Sequence, residues 1–207
     1  CRHGGKRPKP TRLEGRTALT ALACTTLMGG NAMRSFFPLL ATTLLLCTST
    51  AFAQISVTGN NHARNCFMEA ASDGANADSC DKSLEGEMLV GRDRAATYVN
   101  RAVVETNAGN FRAALRDLER AESLRPDLGE IYASRGNVFF YQNDYEAALA
   151  EYDRGIEAGM QKLHAAHYDR GLALEQLGRI VEAKEAYRES IVHAPEFELA
   201  KARLSRL

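Results

Sequence analysis

Apolar residues recur at helical spacing through the second half of the chain, in runs of about a dozen residues parted by polar breaks. Between Tyr132 and Ile156, one side of a first helix collects Tyr132, Gly136, Phe139 and Phe140. The polar triplet Gln142-Asn143-Asp144 breaks that helix, and Ala147, Ala148, Tyr152 and Ile156 line a second. Small residues at Gly136 and Ala148 let the two axes approach closely. The pattern predicts an all-α chain of helix pairs. Neither helix can bury its apolar side alone, so a further pair must cover it.

The chain supplies further pairs. Arg101-Ala102, Arg135-Gly136 and Arg170-Gly171 recur at steps of 34 and 35 residues. Ala114, Ala148 and Ala183 keep the same steps, as do Leu118, Tyr152 and Tyr187, and Phe111, Tyr145 and Ile180. A period in this range marks a stacked repeat protein. With two helices per unit, it resembles the tetratricopeptide repeat family. Unit one (95–128) has Tyr98, Ala102, turn residue Gly109, Ala114, Ala121 and Pro126. Unit two (129–163) has Tyr132, Gly136, Ala148, Tyr152 and Gly155, with Asn143 in the turn and Met160 where proline is usual. Unit three (164–197) has Gly171, Gly178, Ala183, Tyr187 and Pro195, its first aromatic displaced to Tyr168. The resemblance implies an α-α superhelical solenoid of about three repeats.

The stack needs ends. Residues 195–207 read as a capping helix, with Phe197, Leu199 and Leu204 inward and Lys201, Arg203 and Arg206 outward. Residues 54–94 read as a degenerate N-terminal helix pair, broken by the polar stretch 72–78. Cys66 and Cys80 can there take the two closely packed positions that Gly136 and Ala148 hold in unit two.

Charge is unevenly spread. The formal net charge is zero, yet residues 1–53 carry seven Lys/Arg and one acid, while 54–207 carry 19 basic and 25 acidic residues. An acidic body argues against nucleic acid or an anionic membrane as partner. Met33, Arg34, the apolar run Phe36–Cys47 and the small-x-small site Ala51-Phe52-Ala53 form a secretory signal pattern, 33–53, cleaved after Ala53. Leu46 stands where a lipoprotein site at Cys47 would need a small residue. The run is too short to span a membrane, so no insertion is expected after cleavage. Residues 1–32 read as upstream sequence or a leader. The expected location is periplasmic or secreted. There, the even pair Cys66 and Cys80 reads as a disulfide, the alternative being two unpaired core thiols.

No nucleophile elbow, phosphate loop or pair of Cys-x-x-Cys motifs is present, so neither enzymatic activity nor a cofactor is expected. His164 and His167 lie on one helix with no carboxylate or thiol cluster to complete a metal set, which favours packing. Arg101, Arg135 and Arg170 could form an anion-binding ladder. The favoured reading has their stems along neighbouring helices and each guanidinium on an acid or carbonyl.

The resemblance also implies a binding surface, the concave face built from first helices. Carried over by position, its residues are Val99, Val103, Thr106 and Asn107, then Ala133, Asn137, Phe140 and Tyr141, then Tyr168, Leu172, Glu175 and Gln176. Phe139 supplies the core aromatic in this reading, leaving Phe140 and Tyr141 exposed to anchor a protein or peptide segment. Some members clamp a terminal carboxylate. Asn100 matches one clamp position, but Val99 and Val103 stand where Lys and Asn are needed, so that activity is not expected. The alternative to groove binding is an assembly accessory that uses the convex face or self-associates.

Overall fold

The computed structural model describes residue 55 and residues 61–72 and 76–207. The leader 1–32, the signal pattern 33–53 and the cleavage point after Ala53 lie outside the described residues. Among those described there are nine helices and no strand. They are α1 (Asn61–Ala70), α2 (Asp78–Gly86), α3 (Gly91–Asn107), α4 (Phe111–Leu124), α5 (Gly129–Tyr141), α6 (Tyr145–Glu157), α7 (Leu163–Gln176), α8 (Ile180–His193) and α9 (Glu198–Leu204).

The pairs α3/α4, α5/α6 and α7/α8 are the three units. Each packs on the next, second helix to first, and the first helices α3, α5 and α7 also touch in series. Their turns need a left-handed residue at one register. Gly109 and Gly178 hold it at φ 78° and 71°, and Asn143 at φ 62°, asparagine being among the few other residues that tolerate it. The additional residue between units two and three is absorbed by Gly159, also left-handed, while Met160 is buried against Ala133 and Ala166.

Small residues set the distance within a unit. A Cβ at Gly136 would lie 2.5 Å from the Tyr152 ring, and one at Gly171 2.5 Å from that of Tyr187. Ala102 and buried Leu118 share a core cluster in unit one. A large side chain on the second helix thus presses on a small one of the first, and the pairing recurs with the sequence period.

The N-terminal end carries the expected disulfide, and the C-terminal end differs in detail from expectation. At the N-terminus, Cys66 on α1 and Cys80 on α2 are joined, their Cα atoms 4.6 Å apart. At the C-terminus, Leu199 is exposed, and buried Ala200 faces the stack with Phe197 and Leu204. Residues 197, 200 and 204 fall on one side of the helical turn and 199 does not. Arg203, expected outward, turns in because Glu175 of α7 accepts from its Nη1 at 3.1 Å.

Candidate functional site

Most of the residues implied for the first-helix face are packed rather than open. Val99 shares a cluster with Ala63 of α1, and Val103 shares one with Ala70 of α1. Tyr168 is closed over by Phe197 and Tyr187, with ring centroids 5.3 and 5.7 Å away. Leu172 belongs to the same cluster. The capping elements cause this. Each supplies a further helix against the end unit, converting its open side to core.

Asn137 is buried for another reason. Without a Cβ at Gly136, the Tyr152 ring lies flat on α5, and its hydroxyl donates to Asn137 Oδ1 at 2.7 Å. Burial, with the Asp169 charge beside it, pushes the Tyr152 hydroxyl well above the usual phenol range, so it remains a donor. Asn137 Nδ2 finds no acceptor among the described residues. In unit three Tyr187 does the equivalent, donating to Glu175 Oε1 at 2.9 Å.

Phe140 requires a correction. It is 8% exposed and belongs to the core with Ala148, Tyr152 and Leu172, while Phe139 is only partly buried against that cluster. The sequence pattern places Phe139 in the core and Phe140 at the surface, and the structure reverses the two. Phe140 lies one turn beyond Gly136, at i+4, on the side that faces α6 and α7, and its ring meets Tyr145 edge-on at 5.4 Å.

Accessible at the turn of unit two is a pocket of about 260 Å³ lined by Tyr141, Asn143, Tyr145 and Gln176, with Phe140 as its floor, while a larger one of about 600 Å³ at the turn of unit one, beside Glu105, Asn110 and Arg116, takes in none of the expected residues. Tyr141 is 36% exposed. Tyr145 donates to Asn143 Oδ1 at 2.8 Å, which fixes one wall. Three of the expected residues, Phe140, Tyr141 and Gln176, therefore meet at one place. Asn107 is exposed but does not line it. Sequence reasoning missed Asn143 and Tyr145 as lining residues. The signal was available: Asn143 is the non-glycine at the left-handed turn, and a side chain there projects beside the end of the first helix.

The three period-marking arginines are structural ties. Arg101 grips Asp117 of α4 through Nε and Nη2 at 2.7 and 2.8 Å, and reaches Asp81 of α2 at 2.6 Å. Arg135 pairs with Glu122 of α4 and Glu151 of α6, and Arg170 with Asp153 of α6 at 2.7 Å. Each thus reaches back to the second helix of the preceding pair. His164 and His167 are packing residues too: the first meets Phe197, the second stacks on His193. Among the described residues no group of three His, Cys, Asp or Glu could hold a metal.

A family model for the tetratricopeptide repeat matches residues 99–162 and, one unit on, 133–196. Residues 99–196 are thus similar to tetratricopeptide repeats over just under half of the chain. Human tetratricopeptide repeat protein 13 (Homo sapiens) is 28% identical over 105 residues, 51% of this chain and 12% of that protein. Hsp70-Hsp90 organizing protein 2 of Arabidopsis thaliana is 33% identical over 60 residues, 29% of this chain and 10% of that protein. The chain spans about a tenth of the length of these two relatives. Among solved structures, the first TPR of Spaghetti, bound to the HSP90 peptide SRMEEVD, superposes with a TM-score of 0.52 at 17% identity, covering 57% of this chain and 94% of that one. MamA superposes with a TM-score of 0.53 at 22% identity, covering 69% and 80%. These likenesses establish the fold: an all-α solenoid like that of tetratricopeptide repeats.

Proposed function

We propose that this protein is a non-enzymatic interaction module that takes a peptide or protein segment of a partner at the Tyr141 pocket. The observation that carries the reading is the pocket itself: two tyrosines, an asparagine and a glutamine around a buried phenylalanine floor. Tyrosine offers a large rigid face and a polar tip at little entropic cost, which suits it to anchor a segment. A likeness in fold to a repeat domain that holds an HSP90 peptide supports binding as the mode of action. An acidic terminal clamp is not part of the proposal, since Val99 and Val103 are buried beneath α1. We further propose that the chain acts in the cell envelope or outside it after cleavage following Ala53. The Met33–Ala53 pattern and the Cys66–Cys80 bond support export.

A second reading, assembly through the outer face, has its own observation. Val181 and Val192 are strongly exposed on α8, three turns apart on one side. Site-specific photo-crosslinking in the full chain separates the two. A photoreactive residue at Tyr141 or Gln176 should capture a partner and one at Val181 should not. Capture only from Val181 would favour the outer face and end the pocket reading.

A further inference from the structure

The pocket at the turn of unit one is the Tyr141 pocket moved back by one period. Gly109, Phe111 and Gln142 line the first, and Asn143, Tyr145 and Gln176, each 34 residues on, line the second. The two lie on either side of one turn. Tyr141 and Asn143 border the pocket of unit two, and Gln142 between them borders that of unit one. A stacked repeat presents the same register once per unit, so the pockets follow one another along the edge where the turns lie. What differs is charge. The pocket of unit one carries Arg112 and Arg116 where the period puts Glu146 and Ala150 in unit two.

These two arginines break local rules without compensation among the described residues. They are one turn apart on α4, so two like charges stand at i and i+4. Arg112 is also in the first turn, where the helix dipole disfavours a cation. α4 has no acid in that turn, whereas α6 has Glu146 and α8 has Glu182 there. Arg101, Arg120, Arg135, Arg154 and Arg170 all hold carboxylates. Arg112 and Arg116 are exposed and, among the described residues, pair with none. The acid that lines the pocket, Glu105, is engaged by Asn110, whose Nδ2 donates to Glu105 Oε2 at 2.8 Å. A carboxylate brought from outside relieves all of these conflicts at once, and a guanidinium is shaped to grip one through two parallel bonds.

We propose, resting on the Tyr141 reading, that the Arg112–Arg116 pocket is a second subsite for the same partner segment, and that this segment is acidic. One of its side chains seats at Tyr141, and Asp or Glu residues of the same extended stretch cross the turn at Gln142 to meet the two arginines. The geometry thus specifies the chemistry of the partner, which the Tyr141 pocket alone does not.

Short random peptides displayed on phage and panned on the full chain provide the probe. Enriched sequences should combine an aromatic or aliphatic residue with Asp or Glu a few positions away. A labelled synthetic copy of the most enriched sequence is then titrated onto three proteins. Its affinity should fall about tenfold or more in the double variant Arg112→Glu/Arg116→Glu, and also in Tyr141→Ala. Changing the acids of the peptide to Asn or Gln should weaken binding to the unaltered protein but not to the double variant, as a direct pairing requires. The melting temperature of the double variant should hold or rise, because an acid in the first turn of α4 suits the dipole. A lowered melting temperature would make the arginines structural and overturn the proposal. Binding that is lost in Tyr141→Ala but unchanged in the double variant would overturn the acidic subsite and leave the Tyr141 pocket standing. Binding that is lost in the double variant but unchanged in Tyr141→Ala would overturn the shared segment and count against that pocket. Enrichment without acidic residues, or none at all, would also overturn the proposal, while crosslinking from Tyr141 still judges the pocket by itself.

Discussion

At the scale of single residues, helical phase decides what each aromatic of unit two does, and the phase is subtle. Phe139, Phe140 and Tyr141 are consecutive, so each points about 100° from the last. The repeat pattern locates the trio on a first helix but leaves open which ring enters the core, because that depends on how α5 is rotated against α6 and α7. The contact of Gly136 with Tyr152 fixes that rotation and puts Phe140 inside. Phe140→Ala should therefore cost about 3–5 kcal/mol of stability, as removal of a buried phenylalanine does. Tyr141→Ala, at an exposed site, should cost under about 1 kcal/mol and instead weaken partner capture. Urea unfolding of the two variants checks this. Equal losses would mean that Tyr141 is also core and that the pocket has no anchor.

At the scale of elements, the positions that recur are those where backbone or volume leaves no choice: the left-handed turn residue and the small residue under a large one. These were legible in the sequence. The partners of the recurrent arginines were not. Arg101, Arg135 and Arg170 keep one register, yet the acids they grip in the preceding pair stand 20, 13 and 17 residues upstream. A long flexible side chain tolerates such variation, so no fixed acidic position marks it. The N-terminal pair α1/α2 is short and rests on its disulfide. Opening Cys66–Cys80 by the double change to Ser should lower stability by about 3 kcal/mol in the chain-entropy view. Amide exchange should rise first in α1 and α2. Unchanged exchange there would show that packing on α3 alone holds the pair. The α7/α8 joint carries a pH dependence. Burial and then the charge of His193 hold the His167 imidazole below its ordinary value; Arg170 adds to this, while Glu189 and Asp153 oppose it. His164 is shifted the same way, chiefly by burial. A histidine with a lower pKa in the fold binds fewer protons there than when unfolded. Its effect is nil above the unfolded value of about 6.5, and stability falls as pH drops through the interval below it. The melting temperature should fall as pH drops below about 6.5, and fall less in His167→Gln. An identical fall in both proteins would remove His167 as a cause.

For the stack as a whole, the period revealed the architecture because a repeat unit cannot bury its own apolar side. The same logic explains why the open face was overestimated. The residues of α3 and α7 look like groove positions in isolation, and only the caps decide that they become core. α9 shows this most directly. It is two turns long, yet it brings the Phe197 ring within 5.3 Å of Tyr168, buries Ala200 and gives Glu175 its Arg203 partner. Glu175 in turn accepts from Tyr187, the large residue that packs on Gly171 inside unit three. Ending the chain after Ala194 would leave Tyr168 uncovered and the Glu175 carboxylate without its cation. Repeat arrays are coupled chiefly between neighbours, so this damage should be graded along the stack. The shortened chain should lose about 2 kcal/mol or more from its last unit. Hydrogen exchange read by mass spectrometry should show α7 and α8 deprotected most, α5 and α6 less, and α3 and α4 least. Arg203→Gln, which keeps α9 and its apolar contacts, should give the same order with a smaller amplitude. If every pair instead loses protection equally, the units fold as a single cooperative block, and the end of the stack would not be the place where it opens.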